Sequence, residues 1–162
     1  MPEPDLTAIK QGIVDFIKAD SELFDETGAS NEKFRSVDIG MLEQKNYLSL
    51  PAPYCRVTKG TRMDVDKPYD GAVDGAHTAG YHDLFFRIIC VSQEKDAKTV
   101  EIALDKIHKK LKERLKSDFT FNGVVDWSYP GVTEPLGGGI HEGKAVDGFV
   151  ILLHCTLIAQ PS

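Results

Sequence analysis

The chain has 162 residues, a formal net charge of -6, 41% hydrophobic residues and 27% charged residues, which predicts one globular domain that buries roughly 70% of its unfolded surface. No apolar run approaches the ~20 residues of a membrane-spanning helix, and the opening MPEPDLTAIK lacks the basic start and apolar stretch of a signal peptide. We therefore expect a soluble protein that is not exported, and the acidic balance argues against a dedicated nucleic-acid binder.

Two amphipathic helices are predicted. Apolar residues recur at helical spacing between Leu6 and Ala19, and Asp5 is the expected N-cap. A second helix is expected after its own cap, Asp96, with its apolar face at Val100, Ala103, Leu104, Ile107, Leu111 and Leu115. The lysine-rich outer face of this second helix is interpreted as solvated, with partner binding as the alternative.

Alternating or continuous apolar runs predict strands at residues 54–59 (YCRVTK), 84–92 (LFFRIICVS), 119–129 (FTFNGVVDWSY) and 148–159 (GFVILLHCTLIA). The alternative for the third run is a tight turn at Asn122-Gly123, which would start the strand at Val124. Residues 31–48 stay ambiguous between strand and helix.

Two long polar segments separate these strands. Residues 60–82 are rich in Gly and Asp without an apolar period, which predicts a mobile loop. Residues 131–145 read as a Gly-rich hairpin connection. They contain Gly138, Gly143 and Lys144 at the G-x-x-x-x-G-K spacing of a phosphate-binding loop. However, Ala145 replaces the required hydroxyl and a strand follows, so we reject nucleotide binding.

The histidines give little indication of a metal site. His77, His82 and His141 lie in or beside the two polar segments, but no recognised ligand spacing relates them. His108 is placed on the polar side of the second helix, and His154, among apolar residues, is interpreted as a core imidazole.

Other reactive side chains also have ordinary explanations. The three cysteines lie in apolar stretches, which predicts buried free thiols: Cys55, Cys90 and Cys155. No Ser or Cys lies in a nucleophile motif. The closely spaced aspartates of the first polar segment are interpreted as solvated. We therefore expect no catalytic residue, cofactor or metal.

These elements predict an α+β fold, with a mainly antiparallel or mixed sheet of about four to five strands, two main helices packed on one face, and long polar loops. Several strands are apolar on both faces, whereas two helices can cover only one. The other face is therefore expected to meet a neighbouring subunit.

In element order, and in the LP-x-P entry of LPAPYCRVTKG to the first clear strand, the chain resembles the tail terminator and tail-completion proteins of long-tailed phages, over about residues 50–160. The resemblance implies a hexameric ring, in a virion assembled in the host cytoplasm, that caps the tail tube and meets the head-tail connector, with DNA passing through without specific binding. The oligomer or partner interface is then expected at Arg62, Asp64, Asp66, Lys67, Tyr69, Asp70, His77, His141, Glu142 and Lys144.

The alternative is a small cytoplasmic α+β enzyme or ligand-binding domain. Its pocket would lie under the two polar segments, with His82 and His141 as its polar groups.

Overall fold

Two helices and a six-stranded mixed sheet make up the part of the chain that the computed structural model describes, residues 3–40, 51–68 and 80–158, with the backbone alone for residues 61–68. In chain order the elements are α1 (Leu6–Lys18), β1 (Ser36–Ile39), β2 (Tyr54–Pro68), β3 (Gly80–Glu94), α2 (Ala97–Ser117), β4 (Trp127–Pro135), β5 (Gly139–His141) and β6 (Lys144–Ile158).

The sheet has the order β1-β2-β3-β6-β4, and β5 also pairs with β6. β1 and β2 are parallel, whereas the other pairs are antiparallel. The predicted α+β class is confirmed, with one strand more than the four to five expected. β1 falls in the stretch that the sequence left ambiguous.

Both helices begin at the predicted caps. A carboxylate oxygen of Asp5 accepts a hydrogen bond from the backbone N–H of Ala8 at 3.0 Å, and Asp96 accepts one from that of Thr99 at 2.7 Å. Each cap satisfies one of the N–H groups that a helix start leaves without a partner.

One main core lies between the helices and the sheet. It joins the buried face of α1, including Ile13 and Phe16, with five of the six predicted apolar residues of α2. The sixth, Ala103, is buried but is not part of this cluster. The sheet contributes inward-facing residues such as Val57, Ile88 and Ile151. Each fully buried side chain of this size stabilises the fold by about 1.5–3 kcal/mol.

A smaller cluster lies on the opposite face of the sheet. Tyr54, Ile89, Val91 and Val150 are buried there, with Ala52, Val146 and Leu152 packed against them. Part of the second face is therefore covered within the single chain, without the neighbouring subunit that the sequence led us to expect.

The predicted mobile loop at residues 60–82 is wrong at both of its ends. β2 continues to Pro68 and β3 begins at Gly80, and these two residues are paired. The register shifts between Lys59 and Asp64, which is an irregularity of the β-bulge kind. Beyond Val57, β2 pairs with β3 alone among the described residues. An edge strand is held by backbone hydrogen bonds and often carries charged side chains, so its sequence need not show apolar residues at every second position.

The predicted strand at residues 119–129 is also wrong in its first half. Phe121, Asn122 and Gly123 have φ of 51°, 60° and 85°, which belongs to a turn, and β4 begins at Trp127. The turn is held by Asp118, whose carboxylate accepts hydrogen bonds from the N–H groups of Thr120 and Asn122. The alternative prediction, a turn at Asn122-Gly123, agrees better with the structure. The strand nevertheless starts at Trp127, three residues after the predicted Val124.

The Gly-rich connection at residues 131–145 is shorter than predicted. β4 extends to Pro135, and β5 forms a tight hairpin with β6 in which His141 pairs with Lys144. The two residues between them, Glu142 and Gly143, have φ of 50° and 78°. Two central residues with positive φ are what a two-residue hairpin turn of type I′ requires.

Within residues 3–40, 51–68 and 80–158, neither helix combines the length and apolar character needed to cross a bilayer.

Candidate functional site

A cluster of aromatic and polar side chains lies on the sheet face opposite the helices. His154 of β6 pairs with Phe85 of β3 on one side and with Tyr129 of β4 on the other. In the next row, Thr156 pairs with Asp83 and with Trp127. Directly paired residues point to the same face of a sheet. We call Phe85, Trp127, Tyr129 and His154 the aromatic patch.

A carboxylate fixes the imidazole of this patch. His154 Nε2 lies 2.9 Å from Oδ1 of Asp83, and the hydroxyl of Thr156 donates to the same oxygen at 3.4 Å. The Asp83 side chain is only 9% exposed, whereas that of His154 is 37% exposed. An ionised carboxylate only accepts hydrogen bonds, so Nε2 carries the hydrogen and, in the neutral imidazole, Nδ1 is an acceptor.

The side-chain rings of the patch are packed against each other. The imidazole of His154 stacks on Phe85 at 4.8 Å between centroids and 4° between planes, and Trp127 meets it at 5.8 Å and 81°. Trp127 and Tyr129 are nearly parallel at 6.2 Å. Aromatic pairs in such arrangements contribute about 0.5–1.5 kcal/mol beyond their buried area.

Two members of the patch, and one residue beyond it on β6, remain exposed in spite of this packing. Trp127 is 44% exposed and Tyr129 is 54% exposed, and Ile158 at the end of β6 is 41% exposed. Rigid aromatic side chains with a polar handle are the residues that dominate protein contacts. The arrangement is therefore suited to binding another surface, with one hydrogen-bond acceptor held among rings.

Sequence reasoning missed this site. His154 was interpreted as a core imidazole, and it lies instead on the exposed face. Asp83 follows directly after the polar segment predicted at residues 60–82, and no role was predicted for it. The two residues are 71 positions apart, and only the register of β3 against β6 brings them together. The alternation along β6 indicates that His154 and Thr156 share a face, but not which acid they meet.

The residues expected at an interface from the resemblance fall into three groups. Arg62, Asp64, Asp66 and Lys67 lie on β2 where only the backbone is described, and Tyr69, Asp70 and His77 lie outside the described residues. His141, Glu142 and Lys144 are exposed at the β5–β6 hairpin. His154 lies ten positions after Lys144 along β6, so this hairpin is roughly 33 Å from the aromatic patch.

The β5–β6 hairpin has the geometry of neither a nucleotide site nor the three-histidine metal site considered from the sequence. Lys144 begins strand β6, so the loop leads into a strand and not into the helix N-terminus that a phosphate-binding loop needs. His82 is buried in β3, whereas His141 is at the hairpin. Among the described side chains, those of residues 3–40, 51–60 and 80–158, no three His, Cys, Asp or Glu are grouped so as to hold a metal ion.

His108 and the cysteines are structural. His108 Nε2 lies 2.8 Å from the hydroxyl of Thr133, so the ring is wedged between α2 and β4 and not on the solvated side as predicted. Burial, followed by the charge of Lys112, lowers the pKa of His108. All three cysteines are free and buried, as expected, and burial raises the pKa of Cys90 and of Cys155.

A groove of about 500 Å³ lies between the start of α2 and the β5–β6 hairpin. Ala97, Val100 and Ile140 provide apolar lining, and Glu101 and Asp147 carry charge beside them. The groove lies beside the second polar segment, as the alternative interpretation expects for its pocket, but neither His82 nor His141 lines it.

A scan against protein-family models finds no match for the chain, and a search of curated proteins also finds none.

Proposed function

We propose that the protein is a tail terminator or tail-completion protein of a long-tailed phage, a structural component that forms a hexameric ring on the tail tube. The aromatic patch carries this proposal. Trp127 and Tyr129 are about half exposed on a sheet face that neither helix covers. Exposed aromatic surface of this kind marks contact sites.

The fold supports the proposal in a second way. The tail terminator proteins that the chain resembles look like α+β domains with helices behind a mainly antiparallel sheet, and the described part of the chain has such an architecture. The proposed partners are the tail tube protein and the head-tail connector protein. The proposed role is non-enzymatic and needs no cofactor.

The charges of α2 support passage of DNA without specific binding. Lys106 pairs with Glu32 at 2.8 Å, and Lys110, Lys112 and Arg114 donate hydrogen bonds to backbone carbonyls of the same chain. These four cations are engaged in holding the fold, and the chain as a whole carries a net charge of -6. The proposed place of the protein is the head-tail junction of the virion, after assembly in the host cytoplasm.

The test uses purified tail tubes. Wild-type protein mixed with tubes is expected to form rings at one tube end in electron micrographs and to stop further growth of the tube in light scattering. Trp127→Ala is expected to fold and to lose capping. The matched control is Val132→Ala, which removes an exposed apolar side chain of β4 outside the aromatic patch and the hairpin. Capping by Trp127→Ala at the wild-type level, or no capping by wild type, contradicts the proposal.

The groove beside α2 favours a second candidate, a ligand-binding or enzymatic α+β domain. Its volume of about 500 Å³ is within the range of small-molecule sites. Native mass spectrometry of the purified protein tests this candidate. A bound small molecule that is lost in Ala97→Trp, which places a ring in the groove from an exposed position of α2, would favour it over the assembly role.

A further inference from the structure

The turn between α2 and β4 exposes an asparagine that is followed by a glycine. Asn122 and Gly123 are both exposed, whereas Phe121 before them is fully buried and Val125 after them is 3% exposed. The pair is therefore the tip of a turn whose two sides are anchored in the core. Water reaches both residues while the rest of the turn is held in place.

An asparagine followed by glycine is open to spontaneous deamidation. The backbone nitrogen of the second residue loses its proton to solvent base and attacks the side-chain carbonyl carbon, Cγ, of the asparagine. A new C–N bond closes a five-membered succinimide, and the amide nitrogen takes up a proton and leaves as ammonia. Water then opens the succinimide at either carbonyl, which gives aspartate or its β-linked isomer. Asparagine is a thermolabile residue, and this reaction needs no cofactor or oxidant.

The local structure leaves room for this reaction. A Cβ built on Gly123 would meet no described atom within 4 Å, and the glycine has no side chain of its own to crowd the attacking nitrogen. No residue in the described part of the chain forms a hydrogen bond with the Asn122 carboxamide, which is free to turn toward the backbone. The N–H of Gly123 donates to Oγ1 of Thr120 at 3.2 Å, the longest of the described hydrogen bonds in this turn. Attack by this nitrogen therefore gives up only a long hydrogen bond.

We propose that Asn122 is a site of spontaneous deamidation in the folded protein, and that the β-linked product weakens the start of β4. The reaction converts a neutral amide into a carboxylate that is ionised at neutral pH, so it adds one negative charge to the chain. It would occur whether or not the protein caps a tail tube.

The β-linked product weakens β4 because it lengthens the main chain by one atom at Asn122. Two backbone hydrogen bonds span this position, since the N–H groups of Val124 and Val125 donate to the carbonyl of Thr120 at 2.9 and 3.1 Å. An additional main-chain atom moves both donors away from their acceptor. Trp127, the first residue of β4, follows two positions after Val125 and loses this support.

Peptide mapping by mass spectrometry follows the reaction in the folded protein. After two weeks in mildly alkaline buffer made with ¹⁸O water, most chains are expected to carry aspartate at position 122 with one heavy oxygen, and the β-linked form should be in excess. Asn31 is the internal control, because it is also exposed but precedes Glu32, whose side chain crowds the attacking nitrogen. Asn31 should remain an amide. The reaction at Asn122 should accelerate as pH rises, because the attacking nitrogen must lose its proton.

Asn122→Gly is the matched variant for the effect on β4. Glycine accepts the φ of 60° at this position and has no amide to lose. This variant should keep its melting curve through the same incubation. Wild type should develop a second population, separable on an ion-exchange column by its added negative charge, that unfolds at a lower temperature. Asn122→Gln keeps an amide but would have to close a less favourable six-membered ring, so it should stay unmodified.

The other outcomes contradict one part of the proposal or the other. If Asn122 remains an amide in buffer, or reacts no faster than Asn31, the proposed site is wrong. The site is also wrong if Asn122 reacts in guanidinium chloride but not in buffer, because the hydrogen bonds of the turn would then protect it. If Asn122 reacts and the modified protein melts like incubated Asn122→Gly, the proposed weakening of β4 is wrong.

Discussion

His154 keeps its orientation in the aromatic patch through two neighbours, the carboxylate of Asp83 and the side-chain ring of Phe85. A histidine can present either ring nitrogen as its donor, and the group beside it decides which one. With Asp83 at Nε2, the acceptor Nδ1 is left for other partners. A half-exposed side chain is in this way given a defined hydrogen-bonding role.

Replacement of Asp83 should disturb this arrangement in a measurable way. In the neutral wild-type imidazole, ¹⁵N NMR should show hydrogen at Nε2 of His154, whereas Asp83→Ala should populate the tautomer with hydrogen at Nδ1. Loss of the acceptor should also lower the free energy of unfolding by about 1–3 kcal/mol. Asp83→Asn, which keeps one acceptor oxygen, is the control and should change the tautomer less. An unchanged tautomer in Asp83→Ala would show that other groups orient the imidazole.

The cysteines should be nearly inert in the folded protein. The thiolate is the reactive form of cysteine, and burial raises the pKa of Cys90 and of Cys155. Cys55 is equally buried. A chromogenic thiol reagent should therefore react with none of the three cysteines at an appreciable rate in buffer. In guanidinium chloride, which unfolds the protein, it should react with all three. Rapid labelling of one thiol in buffer would show that its part of the sheet opens easily.

At the scale of elements, the helices were predictable and the ends of the strands were not. The caps Asp5 and Asp96 and the apolar faces of both helices follow from local spacing, which the sequence displays directly. β2 and β3 extend to the pair Pro68 and Gly80 through backbone hydrogen bonds. Such bonds require no alternation of apolar residues, so the sequence gives no sign of them. The Asp83–His154 pair depends on strand register, which no local pattern contains.

α2 gives a prediction at this scale. Leu104 and Ile107 are buried against the sheet, so a charge at either position would have no partner and should cost several kcal/mol out of a total stability of about 5–15. Leu104→Asp and Ile107→Asp should therefore yield insoluble or unfolded protein on expression. Ile102→Asp, with the same charge on the exposed side of the same helix, is the control and should fold. A normal melting curve for Ile107→Asp would mean that the wrong side of α2 has been assigned to the core.

For the whole molecule, the order of the strands in the sheet matters most. β6 lies between β3 and β4 and pairs with both along most of its length, so it joins the two parts of the sheet. Its inward-facing residues, including Ile151 and Cys155, also belong to the main core.

Removal of β6 should consequently abolish the fold. A chain cut after Gly143 loses the partner of both β3 and β4, and open apolar strand edges promote aggregation. It should appear in the pellet after expression. A covalently separate β6 peptide added during refolding should restore some soluble protein, whereas the same peptide with Ile151→Asp should not. Soluble, helical truncated protein would show that α1, α2 and the first three strands are stable alone.

The position of β6 also has a consequence during synthesis on the ribosome. β6 follows every other described element in the chain, yet it fills an inner position of the sheet. Until it leaves the exit tunnel, the edge of β3 that it will cover, with Phe86 and Ile88, has no partner strand. The nascent chain is then open to wrong pairing with another copy on the same messenger RNA. Slow translation near residue 144 would lengthen this interval, and a chaperone that binds apolar segments would protect the chain during it.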